Sequence, residues 1–364
     1  MKAVFLHDFL GWCAEHNKDM LFSLARLETK SLKERLSRIN IERPIYVTGL
    51  ARAGTTILLE LISQNEGVAS YRYMDFPFIM LPYWWGKFLK MGSKSDLKTV
   101  ERSHADGLQV NPRSPEAMEE ILWNYFFPKC HDPKVRNVLD QSQRTSDFDT
   151  FYMQTIRKLL LSRNANRYLA KNNYNITRLD YLSHLFPDAR FVVPVREPVS
   201  HIASLMKQHR LLSEEESRDK RVLAYMRRSV HFEFGLGRRP LNLTSNDRTL
   251  EIQELWNKGC DVEAWAKYWR DVHVYLADLL ETNRTVAECT LVLSYEKLCS
   301  KPDRTLARLY SHTGLMPNAA LMEEQQKRLH LPTYYVPDFS ESELEIINAE
   351  TVDIHKHITC FTES

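Results

Sequence analysis

Apolar and polar positions recur along this chain in two rhythms that predict most of its elements. From about residue 5 to 38 the spacing is helical, with Leu21, Ala25, Leu32 and Leu36 near one stripe and Arg26, Lys30, Lys33 and Glu34 on other faces. Short unbroken apolar runs follow. "RPIYVTGL" reads as a buried strand stopped by its glycine, and "TTILLELISQ" as the helix after it. Further strands are predicted at residues 167–171 ("RYLAK"), 190–195 ("RFVVPV") and 290–294 ("TLVLS"), with helical segments between them. This alternation predicts an α/β fold, a mostly parallel sheet flanked by helices on both faces. Between the strand in "RPIYVTGL" and the one at 167–171 lie an aromatic tract, "YRYMDFPFIMLPYWWGKF", and a helix opening at "SPEAMEEILWNYFF" with Ser114 as N-cap and Pro115 at the first helical position. In "VEAWAKYWRDVHVYLADLL", Val262, Trp265, Trp269, Val272 and Leu276 share one helical face and read as core. No repeat or linker divides the chain. The expectation is a single domain over residues 1–364: a helical cap at 1–40, an α/β core with insertions at 43–315, and a C-terminal extension at 316–364.

Composition narrows the function classes. Lysine and arginine total 49 against 47 acids, so no global charge points to nucleic acid, and any anion site must be local. The six cysteines form no CxxC pair and no metal-ligand spacing, which suggests reduced thiols. His7, Asp8 and Glu15 interrupt the apolar start, which lacks the continuous centre of a signal peptide, and no run reaches the roughly 18 to 20 apolar residues of a membrane helix. The sequons at Asn175, Asn242 and Asn283 then read as chance matches, and the expected compartment is the cytoplasm.

The stretch "TGLARAGTT", residues 48–56, follows the strand at Ile45, Tyr46 and Val47. Its two glycines have the spacing of a phosphate-binding P-loop, and a strand, loop and helix in that order offer backbone N–H groups and a helix dipole to an anion. Thr55 stands where a nucleotide triphosphatase carries its lysine, and no strand ends in an obvious magnesium-binding aspartate. The cation is Arg52, inside the turn. At another strand end, "RFVVPVREPVSHIAS" places Arg196, then Glu197-Pro198, then Ser204 eight residues after the arginine in a helix. A guanidinium and a hydroxyl so placed can grip a phosphate.

These two segments resemble the sulfotransferase family. Its 5′-phosphosulfate loop is similar to Ala51-Arg52-Ala53-Gly54-Thr55-Thr56, with Ala51 in place of the usual proline, and its 3′-phosphate motif is similar to the Arg196 and Ser204 segment. The resemblance runs over about residues 43–315, through "RYLAKNNYNITRLDYLSHLFPDARFV" and "LVLSYEKLCSKPDRTLARLYSHTGL", and suggests a divergent bacterial-type branch, because the "RKGxxGxWK" loop of the cytosolic subfamily is absent. It implies 3′-phosphoadenosine 5′-phosphosulfate (PAPS) as co-substrate, bound by Arg52, Ala53, Gly54, Thr55, Thr56, Arg196 and Ser204, with no metal. It also implies in-line transfer of the sulfuryl group to a hydroxyl acceptor, with a general base. Lys171 closes the strand 167–171, where many relatives have a basic residue.

The base stays open among Glu119, Glu120 and His104, with Glu116 and Asp106 behind them. On a helix from Pro115, the stripe Met118, Ile121, Leu122 and Tyr125 faces inward, Glu116 and Glu120 point away, and Glu119 lies at the border. His104 has a suitable pKa. The segment "RRSVHFEFGLGRRP", with Arg227, Arg228, Arg238 and Arg239, could cover the adenosine in place of the missing loop. The acceptor read from the glutamate-rich helix and from the tracts resembling bacterial sulfotransferases is a carbohydrate hydroxyl, with a lipid or small-molecule alcohol next. The rival readings are a divergent P-loop kinase or nucleotide hydrolase, and a non-catalytic protein that binds the product nucleotide. Oligomeric state is not legible.

Overall fold

The structure, a computed structural model, describes residues 10–92, 100–101, 109–330 and 338–363. After helical residues 10–16 come α1 (Lys18–Ser31) and α2 (Lys33–Leu36), which form the expected N-terminal cap. The remaining elements that position the site are, in chain order, β1 (Ile45–Val47), α3 (Thr55–Ser63), β2 (Val68–Ala69), α4 (Pro82–Gly92), β3 (Val100–Glu101), β4 (Gln109–Val110) and α5 (Glu120–Phe126). They continue with α6 (Ser146–Arg163), β5 (Arg167–Lys171), α7 (Leu179–Leu185), β6 (Arg190–Val195), α8 (Pro198–Arg218), α9 (Lys220–Arg228), α10 (Asp261–Thr282), β7 (Thr290–Ser294), α11 (Tyr295–Ser300) and α12 (Glu341–Cys360).

Five strands make one parallel sheet in the order β2-β5-β1-β6-β7, and β3 and β4 form a separate antiparallel pair. The three strands read from apolar runs at 167–171, 190–195 and 290–294 have the expected bounds. Their side chains alternate between two clusters, as a sheet covered on both faces requires. Ile45, Val47, Leu169, Val192 and Leu293 meet Leu58, Leu59 and Ile62 of α3, whereas Tyr46, Tyr168, Phe191 and Val193 join the larger cluster on the other face. Val262, Trp265, Trp269, Val272 and Leu276 of α10 are buried, and α12 packs along that helix. α1 is tied to the core by an ion pair between Glu28 and Lys158 of α6, 2.9 Å apart with neither side chain exposed.

The helix expected to open at Ser114 and Pro115 begins instead at Glu120. Tertiary pairing captures the intervening backbone: Arg72 and Pro115 form an antiparallel bridge, Tyr73 N donates to Ser114 O, and Glu116 N donates to Tyr71 O. β2, at only two residues, was too short to stand out as an apolar run. Among the described residues no helix is long and apolar enough to cross a membrane. All six cysteines are free.

Candidate active site

β1 lies between β5 and β6, so the loop that leaves it is flanked by two neighbouring strand ends, where open α/β sheets bind ligands. The loop turns through positive φ at Gly49 (+133°), Arg52 (+70°) and Gly54 (+106°). Gly54 is the N-cap of α3 and no side chain caps that helix, so the first-turn amides are aimed into the mouth of the loop. A Cβ on Gly54 would come within 2.7 Å of the Tyr295 ring, so close packing as well as backbone conformation demands glycine here.

The two phosphate motifs touch. Arg52 Nε donates to Ser204 Oγ at 3.3 Å, and an Arg196 guanidinium N–H donates to the Arg52 carbonyl at 3.2 Å. Arg196 also lies over the Tyr295 ring, 5.0 Å from its centre. Glu197 caps α8 by accepting from the amides of Val199 and Ser200, so Glu197-Pro198 opens that helix as expected. Beneath the loop, buried His201 accepts from Trp269 Nε1 at Nδ1 (3.0 Å) and therefore donates from Nε2 to the Ala51 carbonyl (2.8 Å). Burial, and then the positive charge of Arg196, hold this imidazole well below its usual pKa, so it stays neutral.

On the other flank, Lys171 ends β5 in register with Val47, one residue before the loop, and is nearly buried. The two residues after it hold the cradle. Asn172 N donates to the Val47 carbonyl, and Asn173 Oδ1 accepts from Thr55 Oγ1 at 3.2 Å. Asn173 Nδ2 in turn donates to Glu233 Oε1 at 3.0 Å. Glu233 is half-buried, and its second oxygen makes no hydrogen bond among the described residues. Glu233, Asn173, His201 and Tyr295 all escaped sequence reasoning as site residues. The one signal for Glu233 was an acid between two buried aromatics, Phe232 and Phe234, in a segment singled out for its arginines. Of those arginines, Arg238 is packed against Trp256 (4.1 Å) and Trp265 (5.3 Å), Arg228 pairs with Glu15, and Arg239 lies over Phe232.

The base candidates fare differently. His104 and Asp106 lie outside the described residues. Glu120 does not face outward: only 2% exposed, it takes both arms of Arg178 at 2.6 and 2.7 Å and meets His131 Nε2 at 2.5 Å. Burial opposes its ionisation, but Arg178 and His131 outweigh burial and hold the carboxyl far below the usual range. Glu119, 1% exposed, accepts from Trp123 Nε1, Tyr168 OH and Asn175 Nδ2, and burial raises its pKa. The assumption of one exposed face fails because α5 is short and enclosed by β5, Arg178 and the aromatic cluster around Trp123. Glu116 is half-buried. Glu120, Cys130 and His131 could offer metal ligands within 4.8 Å of one another, the one such group among the described residues. They fit a cation poorly. Arg178 already fills the carboxylate, and burial followed by the Glu120 charge pushes the Cys130 thiol up to about 12, leaving it protonated.

A family model described as "Sulfotransferase family" matches residues 44–233, more than half of the chain and a span that includes Arg52, Lys171, Arg196, Ser204 and Glu233. Two curated relatives, from Mycobacterium bovis and Mycobacterium tuberculosis, are each named omega-hydroxy-beta-dihydromenaquinone-9 sulfotransferase Stf3 and are 22% identical over 291 residues. The alignment takes in 75% of this chain, which spans 63% of the length of those relatives. The crystal structure of sulfotransferase STF9 from Mycobacterium avium superposes with a TM-score of 0.51 at 15% identity, over 90% of this chain and 80% of that one, a likeness of fold.

Proposed function

The chain belongs to the sulfotransferase family, and on that premise we propose that it moves the sulfuryl group of PAPS to a hydroxyl acceptor. The observation that carries this reading is the contact between the two phosphate motifs, Arg52 with Ser204 and Arg196 with the Arg52 backbone, which lets one bisphosphorylated nucleotide span both. In the proposed complex the loop amides, those of Thr55 and Thr56 included, Arg52 and the Thr56 hydroxyl surround the 5′-phosphosulfate, while the Thr55 hydroxyl stays on Asn173, and Arg196 with Ser204 takes the 3′-phosphate. Lys171, beside the loop, offsets the negative charge that builds on the bridging oxygen as its bond to sulfur breaks.

Glu233 is the proposed base. It stands two hydrogen bonds from Thr55, through Asn173, which holds one oxygen and leaves the other for an acceptor. The acceptor hydroxyl passes its proton to Glu233 as its oxygen bonds to sulfur. The bond from sulfur to the bridging oxygen breaks, and adenosine 3′,5′-bisphosphate leaves. Glu119 and Glu120 then serve as buried framework, which takes away the support that the glutamate-rich helix lent to a carbohydrate acceptor. A lipid-borne hydroxyl fits better. α9 carries Val222, Leu223, Tyr225 and Met226 with none of them fully buried, Tyr225 packs on Phe76, and the curated relatives are named for a hydroxylated menaquinone.

Calorimetry with adenosine 3′,5′-bisphosphate in the presence of a chelator should show binding. No binding, or magnesium-dependent binding of ATP in its place, would sink the reading in favour of a kinase or hydrolase. Turnover with labelled PAPS and a long-chain alcohol should fall roughly a hundredfold in Glu233→Gln with nucleotide affinity unchanged. Binding without any sulfated product would indicate a nucleotide-binding protein that does not turn over.

A further inference from the structure

The side of the molecule formed by α1 and α4 leaves large apolar residues in water. Trp84, Phe88 and Met91 of α4 are 38%, 64% and 89% exposed, and their spacing puts them on one helical face. On α1, Met20 and Leu27, seven residues apart, are each 55% exposed. The two helices are held side by side at this point: Trp84 N donates to Glu28 Oε1 at 2.5 Å, Glu28 is the partner of buried Lys158, and just beyond α1 Arg35 of α2 lies over the Tyr83 ring of α4 at 4.9 Å. This is therefore a fixed surface rather than a frayed end.

Cations border the apolar face. Lys87 and Lys90 are exposed beside Phe88, with Lys87 over the Tyr83 ring at 4.9 Å. Lys30 follows Leu27 by the same three residues that separate Lys87 from Trp84, and Lys33 and Arg35 are exposed just beyond it. Against these stand Asp19 and Glu34, since Glu28 is turned inward. The chain as a whole has a net charge of only +2, so this is a local concentration.

We propose that this face docks the protein on an anionic lipid bilayer, with Trp84, Phe88, Met91 and Leu27 entering the headgroup region and the lysines reaching the lipid phosphates. Aromatic and aliphatic residues on one side of a helix, with lysines at the margin, are what an interfacial helix needs. A second copy of the chain is a poorer occupant. A two-fold interface would bring these lysines against their own equivalents, and interface cores are depleted in lysine. The surface lies outside the donor loop and does not rest on the function proposed above.

The test is sedimentation of the full chain with large vesicles of phosphatidylcholine containing phosphatidylglycerol, beside vesicles of phosphatidylcholine alone. The anionic vesicles should carry the protein down and the neutral ones should carry much less. Lys87→Glu combined with Lys90→Glu should lower the partition coefficient at least roughly tenfold, and so should Trp84→Ser combined with Phe88→Ser. Met91→Ser, at a side chain too exposed to matter for folding, should weaken binding, whereas Met316→Ser on another element should not. Thermal unfolding of each variant guards against loss by misfolding. The proposal is overturned if a folded chain ignores anionic vesicles, or if Met316→Ser and Met91→Ser act alike. It is equally overturned if the chain is a dimer that Phe88→Ser converts to a monomer, since the face would then join two copies. Calorimetry with adenosine 3′,5′-bisphosphate is read separately, so either idea can fail alone.

Discussion

The donor loop and the pair Glu119 and Glu120 are both rich in charge and polar groups, but they spend them differently. In the loop the arginines are half-exposed and the proposed anion donors are backbone amides at the start of α3. In the pair every carboxylate oxygen is occupied by buried partners from β5, α5 and the turn before α7. The first arrangement faces a strand end at the edge of the molecule. The second is complete already. A carboxylate in a suggestive motif is therefore a reagent only if one of its oxygens is left over, a condition that Glu233 meets and Glu120 does not.

That contrast breaks most sharply at Glu120. Glu120→Ala leaves the Arg178 guanidinium buried without its partner, and denaturant unfolding should show a loss of about 3–5 kcal/mol; a loss under about 1 kcal/mol would mean that the pair is not framework. Arg196→Ala should act the other way round. The affinity for adenosine 3′,5′-bisphosphate should fall roughly ten- to a hundredfold by calorimetry, in keeping with a charge-assisted bond of about 1.5–3 kcal/mol, while the melting temperature hardly moves.

His201 links the two regimes, because it is buried framework that holds the loop. Its folded pKa lies below the unfolded value of about 6.5, so the stability it contributes is present above that pH and is lost as pH falls. Arg196, Arg52 and His273 all face it and oppose its protonation. Stability of the native chain should fall below about pH 6.5 with a slope of up to about 1.4 kcal/mol per pH unit from this group. In His201→Gln that part of the slope should vanish, and an unchanged curve would remove His201 from the account. Ser204→Ala, the mildest change, should weaken nucleotide binding only a few-fold, as a neutral hydroxyl bond of about 0.5–1.5 kcal/mol allows.

Much of this was legible from the chain alone. β5, β6 and β7 announced themselves because a strand covered on both faces is an unbroken apolar run, and the loop did so because Gly49 and Gly54 interrupt such a run at the spacing of a phosphate-binding turn. The helix from Pro115 was not legible. Its local signals, a serine followed by proline, were overruled by hydrogen bonds to Tyr71 and Tyr73, more than forty residues away in sequence. Glu233 was missed for a related reason, since its relation to Thr55 runs through Asn173 and no spacing records it.

The sequence by itself determined which backbone could wrap an anion and where guanidinium groups stood relative to strand ends, because these follow from local conformation and residue chemistry. Only the tertiary structure decided which acids were sealed inside and which kept an open oxygen. Burial and ion pairing depend on what other segments bring to the same place, and they set whether a carboxylate holds the fold together or stays available for a proton.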